Sequence, residues 1–295
     1  MGDRAQTPHQ HSLKLRDGRL LGYAEYGDPQ GQPVFYFHGM PASRLEAKLA
    51  ENAARTHQVR IVACDRPGMG LSDFQAGRTI ADWPRDVVEL ADALAIERFA
   101  VLGVSGGGAY AAVCALKIPQ RLTHVGIASG MVPLNTPGAT GGMGQTNRIS
   151  WFLAHRVRWL YRWLLRRTAN QARRDPERFW AQMMPLFGDR DRALLERPEV
   201  REIAIATFLD AFRNGTRGVA WEMGLQARPW GFRLEEIAKP VFLWHGEQDT
   251  TVPPAMGRYQ ARTIPNCMAK FDPNAGHASL IFNHIEEIIA VLSRY

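Results

Sequence analysis

A serine hydroxyl attacks only when a base removes its proton and the backbone presents it to substrate, so the informative serines sit in unusual backbone. Ser105 ends an apolar run, in Gly103-Val104-Ser105-Gly106-Gly107, and Gly108 follows. Glycine weakens strand and helix interiors alike, so three in succession mark a chain that must turn sharply. The pattern is G-x-S-x-G, with an apolar strand before it and a helical stretch after it. It predicts a nucleophile elbow: small neighbours make room for a strained serine, and the next amide points at the reacting oxygen.

The chain has nine histidines. His277, in Asn274-Ala275-Gly276-His277, falls after the last apolar strand and before the last helix, and is the candidate base. His38 and His245 end strands and precede glycines, where a loop-holding role is expected. His9 and His11 belong to the N-terminal stretch; His57, His124, His155 and His284 fall in segments read as surface or insertion. A base of this kind needs an acid that sets its tautomer and stabilises the imidazolium. Asp249, just past a strand, is the candidate, because such positions face the crevice where α/β sheets bind ligands. Glu247 and Asp272 are its rivals.

The elements that must bring these residues together can be read from periodicity. Apolar alternation on both sides of Asp17-Gly18 predicts a hairpin. Buried strands are expected at PVFYFHG, VRIVACD, FAVLGVS, THVGIASG, PVFLWHG and AKFD. Helices are expected at Ser43–Thr56, Thr79–Leu94, after Ser105, at Pro254–Arg262 and from Leu280 onward. Strands alternating with helices imply crossover units and a mostly parallel sheet. The alternation stops between Ile149 and Gly231, where the pattern is helical throughout. In WFLAHRVRWLYRWLLRR, one helix would set Leu153, Val157, Leu160 and Leu164 on one face and Arg158, Arg162 and Arg166 on another.

The order Ser105, Asp249, His277, with FHGMPASR, CDRPGMGLSD, GVSGGG, HGEQDTTVP and GHAS in sequence, resembles the α/β-hydrolase superfamily. These motifs cover nearly all of the chain outside the insertion. The resemblance implies an α/β-hydrolase fold: a mostly parallel eight-stranded sheet flanked by helices, with a helical cap inserted after strand 6. The core would comprise residues 1–130 and 237–295, and the cap 131–236. The resemblance also implies an oxyanion hole from the amides of Met40 and Gly106, with Gly103 and Gly107 framing the elbow. Relatives that open epoxides or displace halide carry aspartate at the elbow; Ser105 points instead to acyl chemistry. A cofactor-free carboxylesterase acting through an acyl-enzyme is therefore expected. The alternatives are a C–C bond hydrolase, a lactonase or a peptidase on the same fold, or a ligand-binding protein that keeps the fold without turnover.

Composition narrows the partners. The chain carries a net charge of +7 over 295 residues, but the surplus is local. Between Met131 and Ala238 there are 17 arginines, no lysine and 11 acidic residues, with six of the eight tryptophans. Acids dilute those arginines and no nucleic-acid motif accompanies them, so nucleic-acid binding is not expected. Arginine in the cap could favour an anionic substrate group, its aromatics could line an acyl pocket, and a basic aromatic face also suits an anionic membrane surface or a homodimer. No apolar run reaches the roughly 18 residues of a membrane span. The opening MGDRAQTPHQHS lacks the apolar core of a leader, and Gln6 breaks the myristoylation pattern. The three dispersed cysteines, Cys64, Cys114 and Cys267, fit a reducing, cytoplasmic setting without a metal site. Haem, flavin, nucleotide and metal signatures are absent, so no cofactor is expected.

Overall fold

The computed structural model describes residues 10–294. Residues 1–9 of the opening stretch, His9 among them, lie outside the described residues, while His11, expected in a loose N-terminus, lies on the first strand of the sheet. One eight-stranded sheet forms the centre, in the order β1-β2-β4-β3-β5-β6-β7-β8. Its strands are β1 (Gln10–Lys14), β2 (Leu20–Gly27), β3 (Gln32–Phe37), β4 (Val59–Cys64), β5 (Phe99–Val104), β6 (Leu122–Ala128), β7 (Val241–Gly246) and β8 (Cys267–Asp272). β1 and β2 pair antiparallel, as do β2 and β4; the other five pairings are parallel. The hairpin is present, with a longer loop than a two-residue turn. Leu15 and Arg19 close it, and Gly18 takes the left-handed φ of +88° that the bend requires.

Helices cover both faces of the sheet. They are α1 (Glu51–Thr56), α2 (Trp83–Ala93), α3 (Gly108–Lys117), α10 (Pro254–Thr263) and α11 (His277–Leu292), with α4 to α9 between β6 and β7. These six are α4 (Gln145–Arg156), α5 (Arg158–Arg174), α6 (Pro176–Met183), α7 (Asp189–Leu195), α8 (Pro198–Ala211) and α9 (Arg217–Gln226). All six residues of β5 are buried, which is why that strand reads as an unbroken apolar run. Its Phe99, Val101, Leu102 and Val104 side chains each contribute on the order of 1.5–3 kcal/mol when fully buried.

Four expectations need correction. The helix expected from Ser43 begins as a 3-10 helix, Arg44–Ala50, capped by the Ser43 hydroxyl, and becomes α1 only at Glu51. The helix expected from Thr79 also opens on a 3-10 turn, set by reciprocal bonds between Thr79 and Asp82. The arginine-rich helix is broken: Val157 leaves helical geometry at φ −130°, ψ 58°, between α4 and α5. That break resets the phase, so the buried side of α5 is Tyr161, Ala169 and Ala172, while Leu164 is exposed. His124 is not on the surface or in the insertion but half-buried on β6, its pKa lowered by burial and by Lys239 and Arg294.

One buried ion cluster joins α8 to the core beneath the site. Asp65, just after β4, accepts from the Arg44 amide at 2.7 Å, the Arg44 guanidinium at 2.8 Å and the Leu71 amide at 2.8 Å. Arg44 also reaches Asp210 of α8 at 2.6 Å. Burial pushes the Asp65 carboxyl up to about 6 against the pull of Arg44. Removing one partner of a fully buried pair strands the other charge. Asp65→Ala should lower the unfolding free energy by about 3 kcal/mol in urea denaturation; a loss below about 0.5 kcal/mol would show that Asp210 alone satisfies Arg44.

Candidate active site

Ser105 sits where β5 ends and a 3-10 turn, Ser105–Gly107, leads into α3. Its φ is +54°, a left-handed conformation that costs a non-glycine residue on the order of 1–2 kcal/mol. The glycines are demanded by contact. A Cβ on Gly107 would lie 2.0 Å from the Phe37 carbonyl oxygen, and one on Gly103 would lie 2.4 Å from that of Gly107. Gly106 is under less pressure: its nearest contact would be Met40 Cβ at 3.4 Å.

The structure brings the three candidate side chains together. His277 Nε2 lies 3.0 Å from Ser105 Oγ, and Nδ1 lies 2.7 Å from Asp249 Oδ2. Asp249 is itself fixed, since Oδ1 accepts from the amides of Thr251 at 2.9 Å and Val252 at 2.7 Å. Its rivals are engaged elsewhere: Glu247 pairs with Arg258 at 2.6 Å, and Asp272 with His284 at 2.7 Å. Burial opposes a charge on His277, but the charge of Asp249 and its hydrogen bond outweigh that. The imidazole pKa therefore lies above its ordinary value. His277 is the first residue of α11, not part of the loop before it.

The two strand-end histidines hold loops. His245 Nε2–H donates to the Val252 carbonyl at 2.9 Å, and His38 Nδ1–H to the Gly39 carbonyl at 2.8 Å. Burial drives both rings toward the neutral form. At the loop that carries Gly39 and Met40, Arg66 donates to the carbonyls of His38 and Gly39, the latter at 2.8 Å. Glu46 Oε2 accepts from the Gly39 amide at 2.7 Å. The Met40 amide has no backbone or side-chain acceptor among the described residues. As a first-turn position, Gly106 has no intrahelical acceptor for its amide either.

Two supports come from the α4–α9 segment, and sequence reading missed both. Glu222 of α9 is fully buried; it pairs with Arg66 at 3.1 Å, with Arg78, and with the Tyr110 hydroxyl at 2.7 Å. Burial opposes its charge, yet the two arginines hold its carboxyl below the usual range. One turn on, Gln226 donates to the Gly106 carbonyl at 2.8 Å. Asp191 of α7 accepts from the His277 amide and the Ser279 amide, each at 2.9 Å, so it caps α11. Gly276 permits this, for a Cβ there would lie 2.6 Å from Asp191 Oδ1. Arg66 was visible inside CDRPGMGLSD, but no local spacing pairs it with an acid so distant in the chain.

A cavity of about 250 Å³ opens at Ser105 and His277. Its walls are mostly apolar, with Phe179, Trp180, Phe187, Leu195, Phe208 and Phe282 prominent. Among the described residues no arginine or lysine lines it. The tryptophans of α5 do not line it either: Trp159 is 75% and Trp163 49% exposed. Among the described residues no cluster could hold a metal ion, and no helix is long and apolar enough to cross a membrane.

A family model described as alpha/beta hydrolase fold matches residues 32–284. A proline iminopeptidase of Xylella fastidiosa is 34% identical over 126 residues, 40% of this chain and 39% of that protein. The chain thus spans about two-fifths of the length of that relative. A 2-hydroxymuconate semialdehyde hydrolase of Pseudomonas putida is 23% identical over 98% of this chain and 96% of its own. Among solved structures, a hydrolase from Pseudomonas aeruginosa PA01 superposes with a TM-score of 0.71 at 22% identity, covering 98% of this chain and 99% of that one.

The contact between Asp191 and His277 can be tested without a substrate. Asp191→Ala should cost about 1–2 kcal/mol in urea denaturation, as loss of an N-cap does. Removing that nearby negative charge should also lower the His277 pKa, followed by NMR titration of the ring.

Proposed function

Because the chain belongs to the alpha/beta hydrolase fold family, we propose that it is a serine hydrolase that cleaves a carboxylic ester through an acyl-enzyme. The observation that carries this reading is the hydrogen-bonded relay Ser105–His277–Asp249, at 3.0 and 2.7 Å, opening onto an apolar cavity. His277 Nε2 takes the Ser105 proton as Oγ attacks the carbonyl carbon. Asp249 keeps the remaining ring proton on Nδ1 and stabilises the imidazolium. The carbonyl oxygen becomes negative and is held by the amides of Met40 and Gly106; losing one such donor typically costs about 3–4 kcal/mol. His277 then protonates the leaving alcohol. Water, deprotonated by the same ring, releases the acid.

The cavity supports an uncharged, apolar acyl group. At about 30 Å³ per water-sized group, it has room for a medium-length chain or one aromatic ring with a substituent. None of the arginines between Met131 and Ala238 lines it, so the expectation of an anionic substrate group has no support at this cavity. That weakens the C–C hydrolase alternative, which rested on an arginine-lined pocket. The names of the relatives do not agree on a bond, since one is a peptidase and the other a semialdehyde hydrolase. An activated nucleophile beside a fitted cavity favours turnover over the ligand-binding alternative.

A fluorophosphonate should label Ser105, and p-nitrophenyl esters of increasing chain length should be hydrolysed. Ser105→Ala should lose at least about 10⁴-fold in kcat while remaining folded. Wild-type turnover in that variant would show that Ser105 is not the nucleophile. The base must be neutral to act, and its pKa is raised, so kcat/KM should rise with pH through a midpoint above the ordinary imidazole value of 6.5. Asp249→Asn removes the stabilising charge, so the same limb should move to lower pH while the maximum rate falls.

A further inference from the structure

The mechanism above leaves one titratable group in the cavity unused. Glu46, in the 3-10 helix after β3, lines the same cavity as Ser105 and His277. Its Oε2 is occupied, accepting from the Gly39 amide at 2.7 Å and from the Tyr36 hydroxyl at 3.0 Å. No donor within the described residues reaches Oε1. A Cβ placed on Gly39 would lie 3.0 Å from that oxygen and 3.5 Å from Ser105 Cβ, so carboxyl and nucleophile flank one point. Gly39 contributes no side chain there, and the space between them stays open.

Of the other polar groups in the wall, all but the Thr251 hydroxyl are already committed. Thr207 exchanges hydrogen bonds with Ser43, the Tyr36 hydroxyl serves Glu46, and Ser105 and His277 form the relay. Half-buried Glu46 leaves Oε1 open to the cavity, where a ligand can supply the donor that the protein does not. We infer that Glu46 selects an acyl group bearing a hydroxyl close to the scissile carbonyl, which donates to Oε1 while the chain fills the apolar cavity. The inference rests on the ester hydrolase reading above and narrows its substrate class to hydroxyacyl esters. A hydroxyl fits better than an ammonium. An ammonium brings three donors and a full charge, whereas the site offers one free carboxylate oxygen beside an imidazole that becomes positive during the reaction. Burial already raises the Glu46 pKa, against help from Gly39 and Tyr36. A bound donor would relieve that penalty.

The test uses four esters of one medium-chain acid with a common alcohol: unsubstituted, hydroxy, methoxy and amino, the substituent on the α or β carbon. For the wild-type protein, kcat/KM should favour the hydroxy ester over the unsubstituted and methoxy esters by roughly 10- to 100-fold, the range for one hydrogen bond to a charged group. The methoxy ester keeps the acceptor and loses the donor, so it separates donation from polarity. Glu46→Gln should cut that preference to within about threefold. If Glu46 only holds the Gly39 amide, the variant should slow all four esters alike and leave the ratios unchanged, which would overturn the inference. Equal rates for hydroxy and methoxy esters, or a preference for the amino ester, would also overturn it. The wild-type series decides the matter even if the variant does not fold. Methyl ketones with the same substituents, which have no leaving group, supply a binding series by calorimetry with the same expected order. Should no ester be turned over and no fluorophosphonate label Ser105, the ester reading falls, and the ketone series still decides whether Glu46 recognises a hydroxyl.

Discussion

Arg66 is buried completely, and the loop that carries Gly39 and Met40 beside Ser105 depends on where its guanidinium sits. It binds the carbonyls of His38 and Gly39, turning that loop so that the Met40 amide is left over. A buried guanidinium is expensive to desolvate and is tolerated only where its donors are met and a counter-charge is close. Glu222 supplies that charge from α9, and it must serve Arg78 as well. The loop that would stabilise a negative oxygen is therefore positioned by a helix from the inserted segment. Gln226, on the same helix, fixes the other side through the Gly106 carbonyl. The inserted segment and the sheet-bearing part of the chain meet through these contacts as one polar framework.

Two ion clusters lie under the site. Arg66 and Arg78 meet at one carboxylate, Glu222, and a second carboxylate, Glu46, holds the Gly39 amide nearby. Arg44 bridges Asp65 and Asp210, and Arg213 lies 3.7 Å from Asp210. Each cluster therefore comes close to charge balance, as a low-dielectric interior demands of buried ions. At His277 the balance tips, since Asp249 binds the ring and Asp191 the backbone amide of the same residue.

The parts legible from sequence were those set by local rules. The turn at Ser105 was visible because it excludes side chains at Gly103 and Gly107, and composition records that exclusion. The sheet was visible because strands buried on both faces become unbroken apolar runs. Asp249 could be preferred over Glu247 and Asp272 by position, but the partners that occupy those rivals, Arg258 and His284, needed coordinates. The supports stayed hidden for a different reason. Arg66 with Glu222, and Asp191 with His277, are pairs between distant segments, and a single arginine or aspartate carries no mark of its partner. The arginine-rich stretch misled because a helical period was extended through Val157, where the chain breaks and the facing changes.

The basic surplus and the lining of the cavity at Ser105 are separate features of one insertion. The exposed tryptophans Trp159 and Trp163 lie on α5, while α6, α7 and α8 supply apolar wall and keep their own arginines out of the lining. Net charge thus says nothing about what the cavity accepts, because the field of an exposed arginine is screened over about 10 Å in ordinary salt. If the proposed ester hydrolysis holds, the step at Ser105 would draw on a neutral imidazole and two amides. The choice of acyl group would then fall to the shape of the wall, to its apolar side chains and to its open polar atoms, Glu46 Oε1 and the Thr251 hydroxyl, a surface that the core and the inserted helices build together.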